Sequence, residues 1–305
     1  MIERRLKVGS RGSKLAIVQT HLVLKQLQKF FPHLVFELKI IKTTGDKFQN
    51  EDFSKIEGKG FFTKEIEENL LRGEIDIAVH SLKDLPTELP EGLTIGAFIQ
   101  RENPEDVLVA KNNKFFIELP TGAKIGTSSL RRKVQLLQIR PDLNIVPLRG
   151  NVTTRLQKLF NSDLDAIIVA RAGLERLGLQ YAITEIFSPE VIIPAVGQGA
   201  IAIEIRKDNE FAKEVLEGIN DVETEYAVRA ERAFLRELGG GCHNPIAAYA
   251  IILDYEIFIE GMIASPDGQQ FFRGSTFGLA IEPEKVGQKL AREILALGAK
   301  SVLTV

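Results

Sequence analysis

Three short segments of the chain, SRGS (10–13), GTSSLRR (126–132) and LRGNVTTRL (148–156), follow short apolar runs and lead into stretches with apolar residues at helical spacing. A strand, a turn of small and hydroxyl residues, then an amphipathic helix is the repeating unit of α/β folds, and its succession predicts a largely parallel sheet. In the first unit LKVG reads as strand, and Leu15, Val18, Leu22 and Leu24 fall near the helical period. Ser13 is placed to cap that helix and Pro32 to close it. LVFELKIIKT reads as a second strand, FFTKEIEENLLRG as a helix ended by Gly73, and EIDIAVHSL as a strand rich in branched residues.

Between these elements lies TGDKFQNEDFSKIEGKG, too polar for a core and too long for a tight turn, which predicts a loop able to move. From RENPEDVLVA onward the strand–turn–helix order repeats through LDAIIVARAGLERLGL, and PAVGQGAIAIEI (194–205) is expected to return a strand to the first domain. The last third changes character. ETEYAVRAERAFLREL reads as helix, IAAYAIIL, YEIFIEGMIAS and QQFFRGSTF as strands joined by tight turns, and EPEKVGQKLAREILALGA as a closing helix. The expected organisation is residues 1–100 with 196–217 as one α/β domain, 101–195 as a second, and 218–305 as a smaller α+β domain. No internal repeat or low-complexity segment is visible in the sequence.

Composition narrows the function. With 39 Lys and Arg against 41 Asp and Glu, the net charge of −2 does not favour nucleic acid, which usually demands a basic domain face. No apolar run approaches the roughly 20 residues of a membrane span, and the start of the chain lacks the apolar stretch of a secretory signal. A single cysteine excludes an internal disulfide and fits a reducing compartment. These readings predict a soluble cytoplasmic protein, and nothing in the sequence calls for more than a monomer.

Two apparent motifs do not survive their context. GQGAIA (197–202) matches a dinucleotide fingerprint but precedes a strand rather than a helix, and GSRGSK lacks the spacing of a phosphate-binding loop. A metal site is not expected, because one cysteine and four histidines provide no paired ligand spacing. The three hydroxyl-rich turns are more informative. Each opens a helix, where the dipole and unpaired N–H groups favour an anion, and each adds arginine: Arg11, then Arg131 and Arg132, then Arg149 and Arg155. Guanidinium groups grip carboxylates through two parallel bonds. The residues alone leave open whether Ser13, Thr127 and Asn151 are ordinary caps beside solvated arginines or parts of an anion site. HSLKDLP (80–86) leaves the end of a strand, where open α/β sheets place ligands, and there Asp84 is either a turn former or a carboxylate amid positive charge.

In order along the chain, KVGSRGSKLA, TTGD, GKGFFTKE, IDIAVHSLKDLPTELPEGL, IGTSSLRR, LRGNVTTRL, PAVGQGAIAIE and GGGC resemble the porphobilinogen deaminase (hydroxymethylbilane synthase) family over nearly its whole length. The resemblance implies two α/β domains similar to periplasmic binding proteins, a cleft between them, and a C-terminal α+β domain. It implies a dipyrromethane cofactor held by a thioether to Cys242, the cysteine of LGGGCHNPI (238–246). The implied reaction condenses four porphobilinogen molecules, each losing ammonia to give an azafulvene cation, onto that primer, and hydrolysis then releases the linear tetrapyrrole. Asp84 matches the family's catalytic aspartate. Ser81, Lys83, Asp84, Thr127, Ser128, Ser129, Arg131, Arg132 and Arg155 match cofactor-holding positions. Arg11, Ser13, Gln19, Arg149, Asn151, Arg155, Arg176 and Gln198 match substrate-holding ones, joined by Lys55 and Lys59 from the loop over the active site (46–60).

The chain departs from the family pattern after the cysteine, where His243-Asn244-Pro245 replaces a commoner Gln or Ser, Val, Pro, and at Glu57, where a second glycine is common. Setting the resemblance aside, two other readings stay open. One is a non-catalytic two-domain clamp; the other is an acyl or phosphate transferase with Cys242 as nucleophile, whose required base would have to be the awkwardly adjacent His243.

Overall fold

The computed structural model describes residues 5–47, 62–239 and 244–303. The chain opens with β1 (Arg5–Arg11), α1 (Lys14–Phe30), β2 (Val35–Ile41), α2 (Thr44–Lys47), α3 (Lys64–Leu71), β3 (Ile77–Ser81) and β4 (Leu93–Ile99). There follow β5 (Asp106–Ala110), β6 (Lys124–Gly126), α4 (Leu130–Ile139), β7 (Asn144–Val146), α5 (Val152–Phe160), β8 (Ala166–Ala170), α6 (Arg171–Arg176) and β9 (Glu185–Phe187). The remainder is β10 (Ile201–Arg206), α7 (Glu210–Glu217), α8 (Val222–Glu237), β11 (Ile246–Leu253), β12 (Glu256–Ala264), β13 (Phe271–Leu279), α9 (Pro283–Ile294) and α10 (Lys300–Leu303). The chain divides into two units: Met1–Glu102 with Ala200–Glu225, and Asn103–Gly199 with Tyr226–Val305.

In the first unit five strands lie in the order β2-β1-β3-β10-β4. β1 runs parallel to β2 and β3, whereas β10 is antiparallel to both β3 and β4. Leu6, Val8, Ile77, Val79, Ile201 and Ile203 point into one core with Val23 and Leu27 of α1 and Val215 and Leu216 of α7. Helix α1 buries Ala16, Gln19, Thr20, Val23 and Leu27, the three-and-four spacing of one helix face. Ser13 caps it as expected, its hydroxyl accepting from Ala16 N at 3.2 Å.

The second unit holds a sheet in the order β7-β6-β8-β5-β9, with β6 parallel to β7 and β8 and with β5 antiparallel to β8 and β9. Both sheets therefore place their strands in one pattern, a likeness of topology that no repeat in the sequence announces. Both are largely parallel, as the sequence predicts, with one reversed strand each, β10 and β5. The physical reason is the same in each. β5 and β10 enter their sheets from the other unit, without a crossover helix from a neighbouring strand to set a parallel direction.

The C-terminal part of the second unit is an antiparallel β11-β12-β13 sheet with α8 and α9 packed on one face. Phe234, Ile257, Ile259, Leu290 and Ile294 are fully buried there. Its other face contributes Ala247, Met262 and Ala264 to a cluster with Val134 of α4 and Ile193. The helices come very close at Gly287, where a Cβ would stand 2.0 Å from the Ala230 carbonyl oxygen. Among the described residues no helix is long and apolar enough to cross a membrane.

Candidate active site

The turns and helix starts that follow the carboxyl ends of the parallel strands carry most of the residues singled out in the sequence. In the first unit a pocket is lined by Arg11, Ser13, Gln19, Phe62, Thr63, His80, Ser81 and Asp84. Arg11 ends β1 and Ser81 ends β3, so both reach the carboxyl edge of the sheet, and the Ser13-capped start of α1 follows Arg11 directly. A 3₁₀ turn over Leu82–Asp84 follows directly and buries Leu82 while leaving Lys83 and Asp84 exposed. Gln19 is buried and its Nε2 donates to Ser81 Oγ at 2.8 Å, which ties α1 to the end of β3. The Arg11 guanidinium lies 4.2 Å from the centre of the Phe62 ring, a cation–π contact.

Behind this pocket is a group of ionisable residues that sequence reasoning missed. His80 Nε2 lies 3.1 Å from Glu204 Oε2, and both side chains are buried. Glu67 of α3 is buried beside them, and loss of hydration raises its carboxyl above the usual carboxylate value, with the neighbouring Thr63 hydroxyl opposing the rise and the Glu204 charge adding to it.

In the second unit the turns before α4 and α5 are joined. Ser128 Oγ donates to the Leu148 carbonyl at 3.0 Å, and Thr127 N donates to the Val146 carbonyl at 2.9 Å. The cap of α4 is Ser129, accepting from Arg132 N; Thr127, the candidate cap in the sequence, instead accepts from Ser129 N at 3.2 Å, two residues earlier. Asn151 caps α5 by accepting from Thr154 N at 2.9 Å. Arg155 Nε donates to the Gly150 carbonyl at 2.7 Å, and Lys158 Nζ donates to the Arg149 carbonyl at 3.1 Å. Arg176 ends α6 and donates to the Gly199 carbonyl at 2.6 Å.

Arg131 and Arg132 are 7% and 5% exposed, and both meet Asp106, which is fully buried at the start of β5. Arg131 Nη1 lies 2.7 Å from Asp106 Oδ2, and Arg132 donates to Oδ1 through Nε (3.1 Å) and Nη2 (2.7 Å). Gln198 Nε2 donates to the same Oδ1 at 2.9 Å and to the Pro104 carbonyl at 2.6 Å. Burial works against ionisation of Asp106, but the two guanidinium charges outweigh it and hold the carboxyl far below the ordinary range. Burial and the neighbouring Arg132 charge together pull Arg131 below its usual value, against the opposing pull of Asp106. Two cations facing one carboxylate leave a formal surplus of one positive charge in a dry setting, where an isolated ion is costly.

Neither Asp106 nor Glu204 was picked out from the sequence, although each left a trace: EDVLVA is an apolar run that opens on two acids, and AIAIEI is one interrupted by a single acid. Lys55, Lys59 and Cys242 lie outside the described residues, as does most of the 46–60 loop.

The chain belongs to the porphobilinogen deaminase family. Residues 6–214 match the family model described as porphobilinogen deaminase, dipyromethane cofactor binding domain, and residues 225–296 match the porphobilinogen deaminase C-terminal domain. It is 50% identical over 302 residues to the porphobilinogen deaminase of Carboxydothermus hydrogenoformans, covering 99% of this chain and 97% of that one. It is also 50% identical over 302 residues to that of a Geobacillus species, covering 98% and 96%. Solved structures with partial likeness include the BvgS VFT2 domain of Bordetella pertussis (TM-score 0.43, 14% identity, 75% of this chain and 92% of that one). The periplasmic aliphatic sulphonate binding protein SsuA of Escherichia coli gives a TM-score of 0.41 at 14% identity, over 76% and 70%. Family membership makes this chain an enzyme, a transferase of tetrapyrrole biosynthesis with a dipyrromethane cofactor. The unbalanced arginine pair fits a group that carries carboxylates.

Proposed function

We propose that Asp84 is the catalytic carboxylate of the hydroxymethylbilane synthase reaction in this chain and that Cys242 is the anchor of its cofactor. The reaction joins four porphobilinogen molecules head to tail with loss of ammonia and releases hydroxymethylbilane by hydrolysis. The observation that carries the assignment is the position of Asp84, exposed on a 3₁₀ turn that leaves β3 and facing a pocket with Arg11, Gln19 and Ser81. As ammonia leaves, positive charge spreads over a pyrrole ring and its N–H becomes a stronger donor. A carboxylate already aimed at that N–H gains interaction energy as the charge grows, which lowers the barrier rather than merely tightening binding.

The bound dipyrromethane supplies the nucleophilic pyrrole carbon on which the chain is built. The polypeptide's part is to hold acids and exclude alternatives. Ser81, Lys83, Thr127, Ser128, Ser129, Arg131, Arg132 and Arg155 are assigned to the cofactor, through hydroxyl, N–H and guanidinium donors to its acid side chains. Arg11, Ser13, Gln19, Arg149, Asn151, Arg155, Arg176 and Gln198 are assigned to the substrate acids, with Lys55 and Lys59 added from the 46–60 loop. We assign the protein to the cytoplasm as a monomer whose partner is a small molecule, without nucleic acid or membrane; the net charge of −2 supports this. The test is Asp84→Asn, which keeps the shape and removes the charge. Turnover should fall about 10²- to 10³-fold, the usual effect of deleting one pre-aimed electrostatic group, with the cofactor adduct retained. Near-normal turnover removes Asp84 from the mechanism.

A further inference from the structure

We propose that Asp106 is the positioning residue of the Arg131–Arg132 pair, locking Arg132 as a structural cross-link and presenting Arg131 to a single ligand carboxylate. The inference rests on the assignment of this arginine pair to ligand acids and refines it: Arg131 meets the acid, and Arg132 supports it through the scaffold. Arg132 spends all three guanidinium nitrogens inside the protein: Nε and Nη2 donate to Asp106 Oδ1, and Nη1 donates to the Ile168 carbonyl at 3.0 Å. It thereby joins α4 to β5 and β8. Arg131 makes its internal contacts through one nitrogen, Nη1, which reaches Asp106 Oδ2 and the Ile193 carbonyl, each at 2.7 Å. Its guanidinium is thus gripped at one corner, and the flat fork that suits a carboxylate is oriented by that grip.

Charge sets the number of acids taken. One carboxylate between two guanidinium groups leaves +1, so one further carboxylate neutralises the site and a second would sit in it uncompensated. Gln198 reinforces the arrangement, since its amide donates to the Asp106 oxygen that also receives Arg132. The same loop is fastened to the C-terminal part of the unit. Buried Glu231 of α8 accepts from Gly197 N (2.7 Å) and from Ala250 N (2.9 Å), so the helix that precedes the Cys242 segment is hydrogen-bonded to the residue next to Gln198.

The test compares the wild-type chain with Asp106→Asn and with the double variant Asp106→Asn/Arg132→Gln. The double variant has one guanidinium and no carboxylate, which restores the surplus of one and removes the reason for D106N to misfold. It should unfold cooperatively, yet intact mass should show its cofactor-bearing fraction reduced about tenfold from wild type, because Arg131 then keeps only the Ile193 carbonyl and loses the carboxylate that orients it. Independently of activity, sulfate should raise the thermal midpoint of D106N more than that of wild type, since it replaces the missing counter-charge. A folded double variant with wild-type cofactor occupancy overturns the inference, as does an equal sulfate response in D106N and wild type. A wild-type protein without any cofactor mass would instead sink the underlying assignment, and the two failures are distinguished by which protein shows the loss.

Discussion

Gly287→Ala sets two effects of opposite sign against each other. In a helix interior alanine is favoured over glycine by about 1 kcal/mol, so on propensity alone the substitution in α9 stabilises. Packing opposes it. The new methyl would lie 2.0 Å from the Ala230 carbonyl oxygen and 2.9 Å from Phe234 N, both backbone atoms of α8 that no rotamer change can move. Restoring normal contact requires the helices to part by about 1 Å or more. That shift would unseat Val286, Leu290 and Ile294 from their core. Overpacking typically costs about 1–3 kcal/mol, and a backbone clash belongs at the upper end, giving a net loss of about 2 kcal/mol. For a unit of this size that is a midpoint about 4–8 °C lower, read by calorimetry or circular dichroism. Gly218→Ala is the control: its φ is an ordinary −66°, and a Cβ there meets nothing closer than 3.7 Å, so it should stabilise slightly. An unchanged or raised midpoint for G287A refutes the close helix approach.

Two further outcomes follow from buried groups. Burial raises the folded-state pKa of Glu67 above the ordinary carboxylate value, so its contribution to stability is fully present below that ordinary value and is lost as pH rises through the raised one. The stability of Glu67→Gln relative to wild type should therefore increase from about pH 4.5 towards pH 8, measured by urea unfolding across that range; a difference that stays flat contradicts the raised pKa. Phe234→Ala removes a fully buried ring between α8, α9 and the C-terminal sheet and should cost about 3–5 kcal/mol, seen as a lower urea midpoint with unchanged slope; a loss below about 1 kcal/mol would mean that this core collapses around the gap.

The legible parts of this fold were those written in local chemistry. Ser13 and Asn151 announce helix starts through their hydroxyl and amide groups, and both are caps. Branched runs announce β3, β8 and β12, and the turn between β11 and β12 lies where tight turns were expected. The reversal of β5 and β10 was not legible, because it depends on which unit they arrive from rather than on their own residues. The same holds for the site. Arginines beside hydroxyls mark the loops, but the partner that organises two of them, Asp106, sits 25 positions before Arg131 inside an apolar strand. Its role appears only once β5 lies next to β8 and α4 packs against both. Thr127 and Ser129 show the finer limit: either could cap α4, and a two-residue difference in where the helix begins decides it.

The central claim, that this chain holds its primer through its one cysteine, is tested most directly by the intact mass of purified, active protein. Wild-type protein should be heavier than its sequence by two linked pyrrole units, and Cys242→Ala should have the bare polypeptide mass and no turnover. Active wild-type protein at the bare mass, or an unchanged excess in the Cys242→Ala variant, would contradict it.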